Sequence, residues 1–386
     1  RAILGDVESY LGQHRGEFAL AHAGPKPDER FRIGLLLQRD GTSYSETAYR
    51  RVLCPLTADD AIAQLELLIL SGPDDDRLRN CDACIVQIEH PVEEDWAEQL
   101  SMSIQLHDVP LFVDVLENQL QDVSALGHAE QVAELLNKAV EVWCPTAPLE
   151  MTRRLEDMSI ATVPATLDPR LWQRDHATAT GSDRVLLEFL CIRASNDQDI
   201  SSCLSAFDAL QLRRPGAFRL TLVGPPDPAA ERSWLRRIDT TALDVIYLNR
   251  AARLRQLGHF DVGIILPIDF HAPASGSDCQ FLEYSALGLL SIVAEHDGFS
   301  FGPDSGLVVA ARDGDWLSAL ERPFDASVRS RICQQAHDHV WTTRNGLSST
   351  NTVAGRILDY LRRRGGKNMI APSSSNSVRY AQEAAQ

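Results

Sequence analysis

The chain of 386 residues is long for a single hydrophobic core, so we expect two domains of ordinary size. Hydrophobic residues make up 44% and charged residues 24%, and no apolar run approaches the roughly eighteen residues of a membrane-spanning helix, which excludes an integral membrane protein. The 37 Lys and Arg against 54 Asp and Glu give a net charge of −17, which makes nucleic acid an unfavourable partner because its phosphates would be repelled.

The eight cysteines are scattered, mostly within apolar runs, and nothing resembling a signal peptide begins the chain. These features favour a cytoplasmic location. Cys81 and Cys84 form a lone pair without the further ligands of a zinc site, so we expect neither a bound metal nor a cofactor. Because the chain begins with Arg1 rather than Met, we expect it to be part of a larger multidomain polypeptide or complex.

The first half opens with a polar lead-in, 1–29, followed by a predicted domain over 30–172. Short runs rich in β-branched residues alternate there with helical stretches, which is typical of a parallel sheet covered by helices. The predicted strands are 32–38, 83–89, 110–116, 139–145 and 159–165.

The polar stretch 173–183 is a predicted linker, and 184–325 is a second predicted domain with the same alternation. Its predicted strands are 184–192, 218–224, 243–248, 261–267, 289–295 and 306–311, and its predicted helices are 197–212, 229–238 and 313–322. The chain therefore predicts an α/β protein of two doubly wound, Rossmann-like domains. Such domains bind ligands at the carboxyl ends of their strands, so we expect the function to lie in the cleft between them.

Two C-terminal helices are predicted within 326–364, at 326–341 and 350–364, and they precede a polar tail, 365–386, that we expect to be disordered. The second helix ends in the basic cluster 362–364. Cations at a helix C-terminus explain that cluster, and peripheral contact with the inner face of a membrane is the alternative.

The segment 276–288 reads GSDCQFLEYSALG and predicts a short helix directly after the apolar run DVGIILPIDF. Ser277 and Gln280 have the spacing of a capping box, and Gly288 suits a left-handed helix end. The exposed amides at such a helix start favour a phosphate or diphosphate. Glu283, in the second turn, could accept hydrogen bonds from sugar hydroxyls, although most helical glutamates simply face solvent.

This segment resembles the nucleotide-sugar segment of glycosyltransferase family 4, in which a strand ending in Pro leads to a "s-d-x-K-f-l-E-y-x-A-x-G" helix. Weaker similarities run from about 31 to 364, with a polysaccharide-assembly subgroup matched at TSYSETAYRRVLCPL, PLFVDVLENQL and VPATLDPRLW. The resemblance implies a GT-B fold, a nucleotide-sugar donor held by the C-terminal domain, and an acceptor held mainly by the N-terminal domain. It also implies retention of anomeric configuration without an obligatory metal.

Carried onto this chain, the resemblance implies that Glu283 binds the nucleotide ribose and that Gly276 and Ser277 meet the diphosphate. Arg193 matches the arginine that meets the donor phosphates, and Gly224 matches the glycine that ends the next strand beside the nucleotide. Three family residues are replaced, by amides and by a hydroxyl. Ser275 stands at the position of the first family glutamate, and Gln198 and Gln280 stand at the positions of the two family lysines.

Further candidates complete the predicted site. Arg250 and Arg50 could replace some of the missing positive charge, although an arginine on an exposed helix face is the simpler account of Arg50. Asp114, at the end of a predicted strand, could contact the acceptor hydroxyl or act as a base, or could equally cap the next helix. His90, after another predicted strand, is placed similarly but is more simply structural.

The sequence therefore predicts a hexosyltransferase that moves a sugar from a nucleoside diphosphate donor to a glycan, lipid-linked or protein-linked acceptor in bacterial surface polysaccharide or glycoconjugate assembly. The missing lysines motivate an alternative, a GT-B domain without catalysis that binds a partner glycosyltransferase or a glycan. A nucleotide-sugar epimerase is a third hypothesis, which would convert donor with no acceptor present.

Overall fold

The computed structural model describes residues 30–37, 39–40, 43–88, 93–115, 129–145, 158–172, 186–192, 200–224, 232–239, 247–266, 275–294, 306–310, 316–347 and 352–365. The predicted lead-in, the linker and the predicted tail beyond Gly365 lie outside these residues, so the domain boundaries and the disorder expected of the tail remain predictions.

The described N-terminal part forms a six-stranded parallel sheet in the order β4-β1-β5-β6-β7-β8. The strands are β1 Phe31–Leu36, β4 Leu65–Ile69, β5 Ala83–Ile88, β6 Leu111–Val115, β7 Glu141–Cys144 and β8 Ile160–Thr162. Two very short strands, β2 Arg39–Asp40 and β3 Ser43–Tyr44, pair with each other after β1. A π-helical turn, Ala48–Leu53, then continues into α1 Cys54–Leu56 and α2 Asp59–Ile62, and the later helices are α3 Glu94–His107, α4 Ala129–Lys138 and α5 Pro169–Trp172.

The described C-terminal part forms a second six-stranded parallel sheet in the order β11-β10-β9-β12-β13-β14. Its strands are β9 Leu187–Ile192, β10 Phe218–Val223, β11 Leu235–Ile238, β12 Val262–Ile265, β13 Leu290–Ala294 and β14 Leu307–Ala310. The helices are α6 Ser201–Arg213, α7 Tyr247–Leu257, α8 Ser275–Ala286, α9 Trp316–Glu321, α10 Ala326–Thr343 and α11 Val353–Gly365. The predicted class, two doubly wound α/β domains, is confirmed.

Both domains bury apolar side chains on the two faces of their sheets, as parallel sheets require. The C-terminal helices divide between the domains. Ile332, Ala336 and Val340 of α10 pack in the C-terminal domain, whereas α11 returns to the N-terminal core. The apolar positions of α11 recur on one helical face, which explains its docking; they are Val353, Ala354, Ile357, Leu358 and Leu361.

Two predicted elements of the C-terminal domain are wrong. The predicted helix 229–238 contains strand β11, whose residues Leu235–Ile238 pair with β10. Pairing at a sheet edge overrides the helical preference of this charged stretch, and charged side chains suit an edge strand. In the predicted strand 243–248, Tyr247 and Leu248 begin helix α7 instead, and 243–246 lie outside the described residues.

Within the described residues, no helix is long and apolar enough to cross a membrane.

Candidate site between the two switch points

Helix α8 lies at the point where the strand order of the C-terminal sheet reverses. Numbered in chain order, the strands of this sheet are arranged 3-2-1-4-5-6. The first strand, β9, and the fourth strand, β12, are therefore neighbours, and the strands that follow each of them lie on opposite sides of this pair. Helix α8 follows β12, and the Gln280 side-chain amide donates to the Ile192 carbonyl at the end of β9 (3.1 Å). Open α/β sheets bind ligands at this crevice.

Helix α8 begins at Ser275, two residues before the predicted N-cap, Ser277. Ser277 is therefore inside the first turn and is not the N-cap, so the predicted capping box is wrong. Gly288 has φ +76°, as expected for a left-handed helix end, and its amide donates to the Ser285 carbonyl. Phe281 is fully buried, and its ring centroid lies 6.4 Å from that of His339 on α10.

The N-terminal sheet has its own switch point between β1 and β5, because the strands that follow β1 lie on opposite sides of it. The chain leaves β1 through the β2–β3 pair and enters the π-helical turn Ala48–Leu53, all six residues of which are buried. Short π-helical segments are rare and occur often at functional sites. Two adjacent arginines in this turn, Arg50 and Arg51, are fully buried.

The two switch points meet in a ring of four charged side chains, which we call the ion ring: Glu46, Arg50, Arg250 and Glu283. Arg50 donates to Glu283 across the domains, and its Nη2 lies 2.6 Å from Glu46 Oε1. Arg250 closes the ring, with Nε 3.0 Å from Glu283 Oε1 and Nη1 3.1 Å from Glu46 Oε2. Each carboxylate thus contacts both guanidiniums.

The ring is buried on one side and open on the other. The side chains of Glu283 and Arg50 are 0% and 1% exposed, whereas those of Arg250 and Glu46 are 22% and 33% exposed. Burial raises the pKa of Glu283 above its ordinary value, and the guanidiniums of Arg250 and Arg50 act against that rise. Burial also acts to raise the pKa of Glu46, but the same two guanidiniums outweigh it and the pKa is lowered.

Asp114 lies near the end of β6 and is held by Arg51, the neighbour of Arg50. Its two oxygens accept from Arg51 Nε at 3.0 and 3.1 Å, one of them also accepts from Arg51 Nη2, and the other accepts from Gln87 (3.1 Å). Both side chains of this pair are 1% exposed, and Arg51 also donates to the Val163 carbonyl. This arrangement supports a structural role for Asp114, and the predicted acceptor contact stays a prediction.

A third polar network ties the same turn to the segment that precedes the predicted linker. Tyr49 donates its hydroxyl to Asp168 (2.8 Å), and Asp168 is also paired with Arg170. Burial, the charge of Asp168 and their hydrogen bond raise the pKa of Tyr49 well above its usual range. Helix α5, which follows Asp168, packs on α7 of the other domain, where Arg255 donates to the Trp172 carbonyl (2.9 Å).

The structure therefore brings together three of the predicted site residues, Arg50, Arg250 and Glu283. Gly224 is buried where β10 ends, and its amide donates to the Ile238 carbonyl (3.1 Å). Arg193, Gln198 and His90 lie outside the described residues, as do the side chains of Ser275 and Ser277; Gly276 lies within the first turn of α8.

Sequence reasoning missed two residues of this site. Glu46 carried a usable signal, because it is four residues before Arg50 on a helical stretch, the spacing of an intrahelical ion pair. Arg51 carried a second signal, since a charged residue within the apolar run AYRRVLCPL needs a buried partner. Within the described part of the chain, no group of three or more acidic, His or Cys side chains is placed to hold a metal ion.

The architecture, with two parallel-sheet domains facing each other and a last helix that returns to the first domain, is the GT-B fold. No protein-family model matches the chain, and no curated protein sequence matches it.

Solved structures with this fold are similar to the chain. An alpha-glucosyltransferase in complex with UDP has a TM-score of 0.57 at 10% identity over 86% of this chain and 99% of that one. The alpha-glucosyltransferase with UDP and a 13-mer DNA has 0.56 at 12%, with the same coverage. A trehalose-6-phosphate protein from E. coli bound with UDP-2-fluoro glucose has 0.53 at 11%, again covering 86% and 99%. These similarities establish the fold.

Proposed function

We propose that this chain is a glycosyltransferase that moves a sugar from a nucleoside diphosphate donor to an acceptor hydroxyl. The observation that carries the proposal is the position of Glu283. It lies on the helix that follows β12 at the C-terminal switch point, and it faces the N-terminal switch point through Arg50. This is the crevice in which doubly wound domains bind nucleotides. The resemblance of 261–295 to family 4, and similar structures described with UDP or a UDP-sugar, support the same reading.

In this proposal Glu283 fixes the ribose, because a carboxylate can accept two hydrogen bonds from adjacent hydroxyls. The amides at the start of α8, together with Arg193, hold the diphosphate. Departure of a nucleoside diphosphate develops negative charge, which fixed cations stabilise. The Gln280 amide is engaged with the Ile192 carbonyl, so in this proposal Arg250, which contacts Glu283 from within the same domain, supplies that positive charge together with Arg193.

We further propose a retaining, metal-independent hexosyl transfer of the family 4 type, in which the leaving phosphate itself deprotonates the acceptor. The location would be cytoplasmic, and the acceptor would be a glycan or glycoconjugate of the bacterial surface. Asp114 would act on the acceptor site indirectly, by fixing the position of Arg51, because its oxygens already accept hydrogen bonds from Arg51 and Gln87.

The test is calorimetry with UDP-, GDP- and dTDP-sugars, combined with donor hydrolysis. We expect one nucleotide to bind, Glu283→Ala to abolish that binding, and Glu321→Ala to leave it unchanged. Glu321 is a matched control in the same domain, since it forms a half-exposed surface pair with Arg213. Absence of binding for every donor, or unchanged affinity in Glu283→Ala, would contradict the nucleotide site.

A second candidate function is a GT-B domain that binds a glycan or a partner glycosyltransferase without catalysis. Two observations favour it. Gln280, which stands where the family has a lysine, donates to the backbone of β9. The carboxylate of Glu283 is already paired with Arg50 and Arg250. Nucleotide binding without hydrolysis or transfer for every donor would favour this function over the first.

A further inference from the structure

The ion ring joins the two domains inside the proposed nucleotide site. Glu46 and Arg50 come from the N-terminal domain, and Arg250 and Glu283 come from the C-terminal domain. We propose that the ion ring is a latch: it holds the domains together in the absence of nucleotide, and a nucleoside diphosphate must open it to reach Glu283. The second half of this proposal rests on the proposed function, and the first half does not.

The competition follows from the occupancy of Glu283. Its side chain is 0% exposed, Arg50 contacts one carboxylate oxygen, and Arg250 Nε reaches both (3.0 and 3.2 Å). A ribose needs to approach those oxygens within about 3 Å to form hydrogen bonds. Arg50 and a ribose cannot occupy the same place, so Arg50 must leave before Glu283 can bind a nucleotide.

The ring is also able to open, because a buried ion pair is not a strong lock. Desolvation of two charges offsets most of their attraction, so the net stabilisation is modest. Arg250 and Glu46 are partly exposed and give water and a ligand a route to the buried half. The four charges sum to zero, so separating the domains exposes two neutral pairs, Glu46 with Arg50 and Arg250 with Glu283.

Opening would leave the domains connected elsewhere. The chain returns from α10 to the N-terminal core through α11, and the bridge between Leu167 and Asn345 lies on this path. Helix α5 stays packed on α7. These contacts involve the backbone, apolar side chains and the hydrogen bond from Arg255 to a backbone carbonyl, whereas attraction within a partly exposed ion ring weakens as ionic strength rises.

The first experiment measures the latch without any nucleotide. Small-angle X-ray scattering compares the wild-type chain with Arg50→Met and Arg250→Met, which break the ring from opposite domains. Arg213→Met, which breaks a surface pair within the C-terminal domain, is the matched control. We expect a larger radius of gyration in both ring variants and no change in the control. A ring variant that is folded by circular dichroism and as compact as the wild type would overturn the latch.

The second experiment measures the competition by titrating the same proteins with UDP, GDP and dTDP. A latch that keeps about nine-tenths of the molecules closed raises the apparent Kd about tenfold, so Arg50→Met should bind its nucleotide about tenfold more tightly. An unchanged or weaker affinity would show that Arg50 does not compete. Expansion of the variants with no nucleotide bound by any protein would leave the latch standing and reject the proposed function. Nucleotide binding without expansion of the ring variants would reject the latch and leave the proposed function standing.

Discussion

Replacing Asp114 by Asn should destabilise the N-terminal domain by about 3–5 kcal/mol, because it leaves the guanidinium of Arg51 buried without its counter-charge. The carboxylate now accepts from Arg51 at both oxygens and from Gln87 at one. Asn retains a single oxygen, and its amide would face a donor that it cannot bond. At about 2–4 °C per kcal/mol for a domain of this size, the Tm should fall by roughly 10 °C.

Thermal and urea unfolding monitored by circular dichroism provide the assay. Glu66→Gln is the matched control, because Glu66 pairs with Arg32 in the same sheet at 2.9 Å but both side chains are more than two-fifths exposed. Its loss should cost no more than about 1 kcal/mol. If Asp114→Asn unfolds at the wild-type temperature and yet has lost sugar transfer, the structural role is wrong and the predicted role at the acceptor is supported.

Tyr49→Phe removes a buried hydrogen bond to the Asp168 carboxylate and should cost about 1–3 kcal/mol in urea unfolding; a loss below about 0.5 kcal/mol would contradict the network. Gly306→Ala should destabilise far more than Gly288→Ala: both residues have φ +76°, but a Cβ at Gly306 would lie 2.3 Å from a backbone nitrogen of α10 and one at Gly288 meets nothing within 4 Å. Equal Tm losses in the two variants would refute the packing argument. Glu141 is partly buried, but hydrogen bonds from its arginine partner and a tryptophan outweigh burial and lower its pKa below the ordinary 4.5. The contribution of Glu141 to stability is therefore present above about pH 4.5 and lost as the pH falls further. Glu141→Gln should reduce the pH dependence of the free energy of unfolding in that range. An unaltered dependence would contradict the pairing of Glu141 with Arg356.

The sequence by itself determined the parts of the fold that depend on local pattern. Apolar runs such as 83–89 and 218–224 became parallel strands, because a strand covered on both faces needs a continuous apolar run. Gly288 was identified as a helix end because only a residue without a side chain adopts positive φ at little cost. The resemblance of the segment around Glu283 led to the GT-B fold, which the structure confirms.

Only the tertiary structure decided what the charged residues do. Arg50 and Glu283 are 233 positions apart, and Arg51 and Asp114 are 63 apart, so no local pattern relates them. A glutamate on a helix and an arginine on a helix usually face solvent, and their burial depends on which domain surfaces meet. The same is true of β11, whose strand conformation comes from pairing with β10 and not from its own residues. Charges are placed by long-range packing, whereas backbone conformation, apart from edge strands such as β11, is largely set by neighbours along the chain.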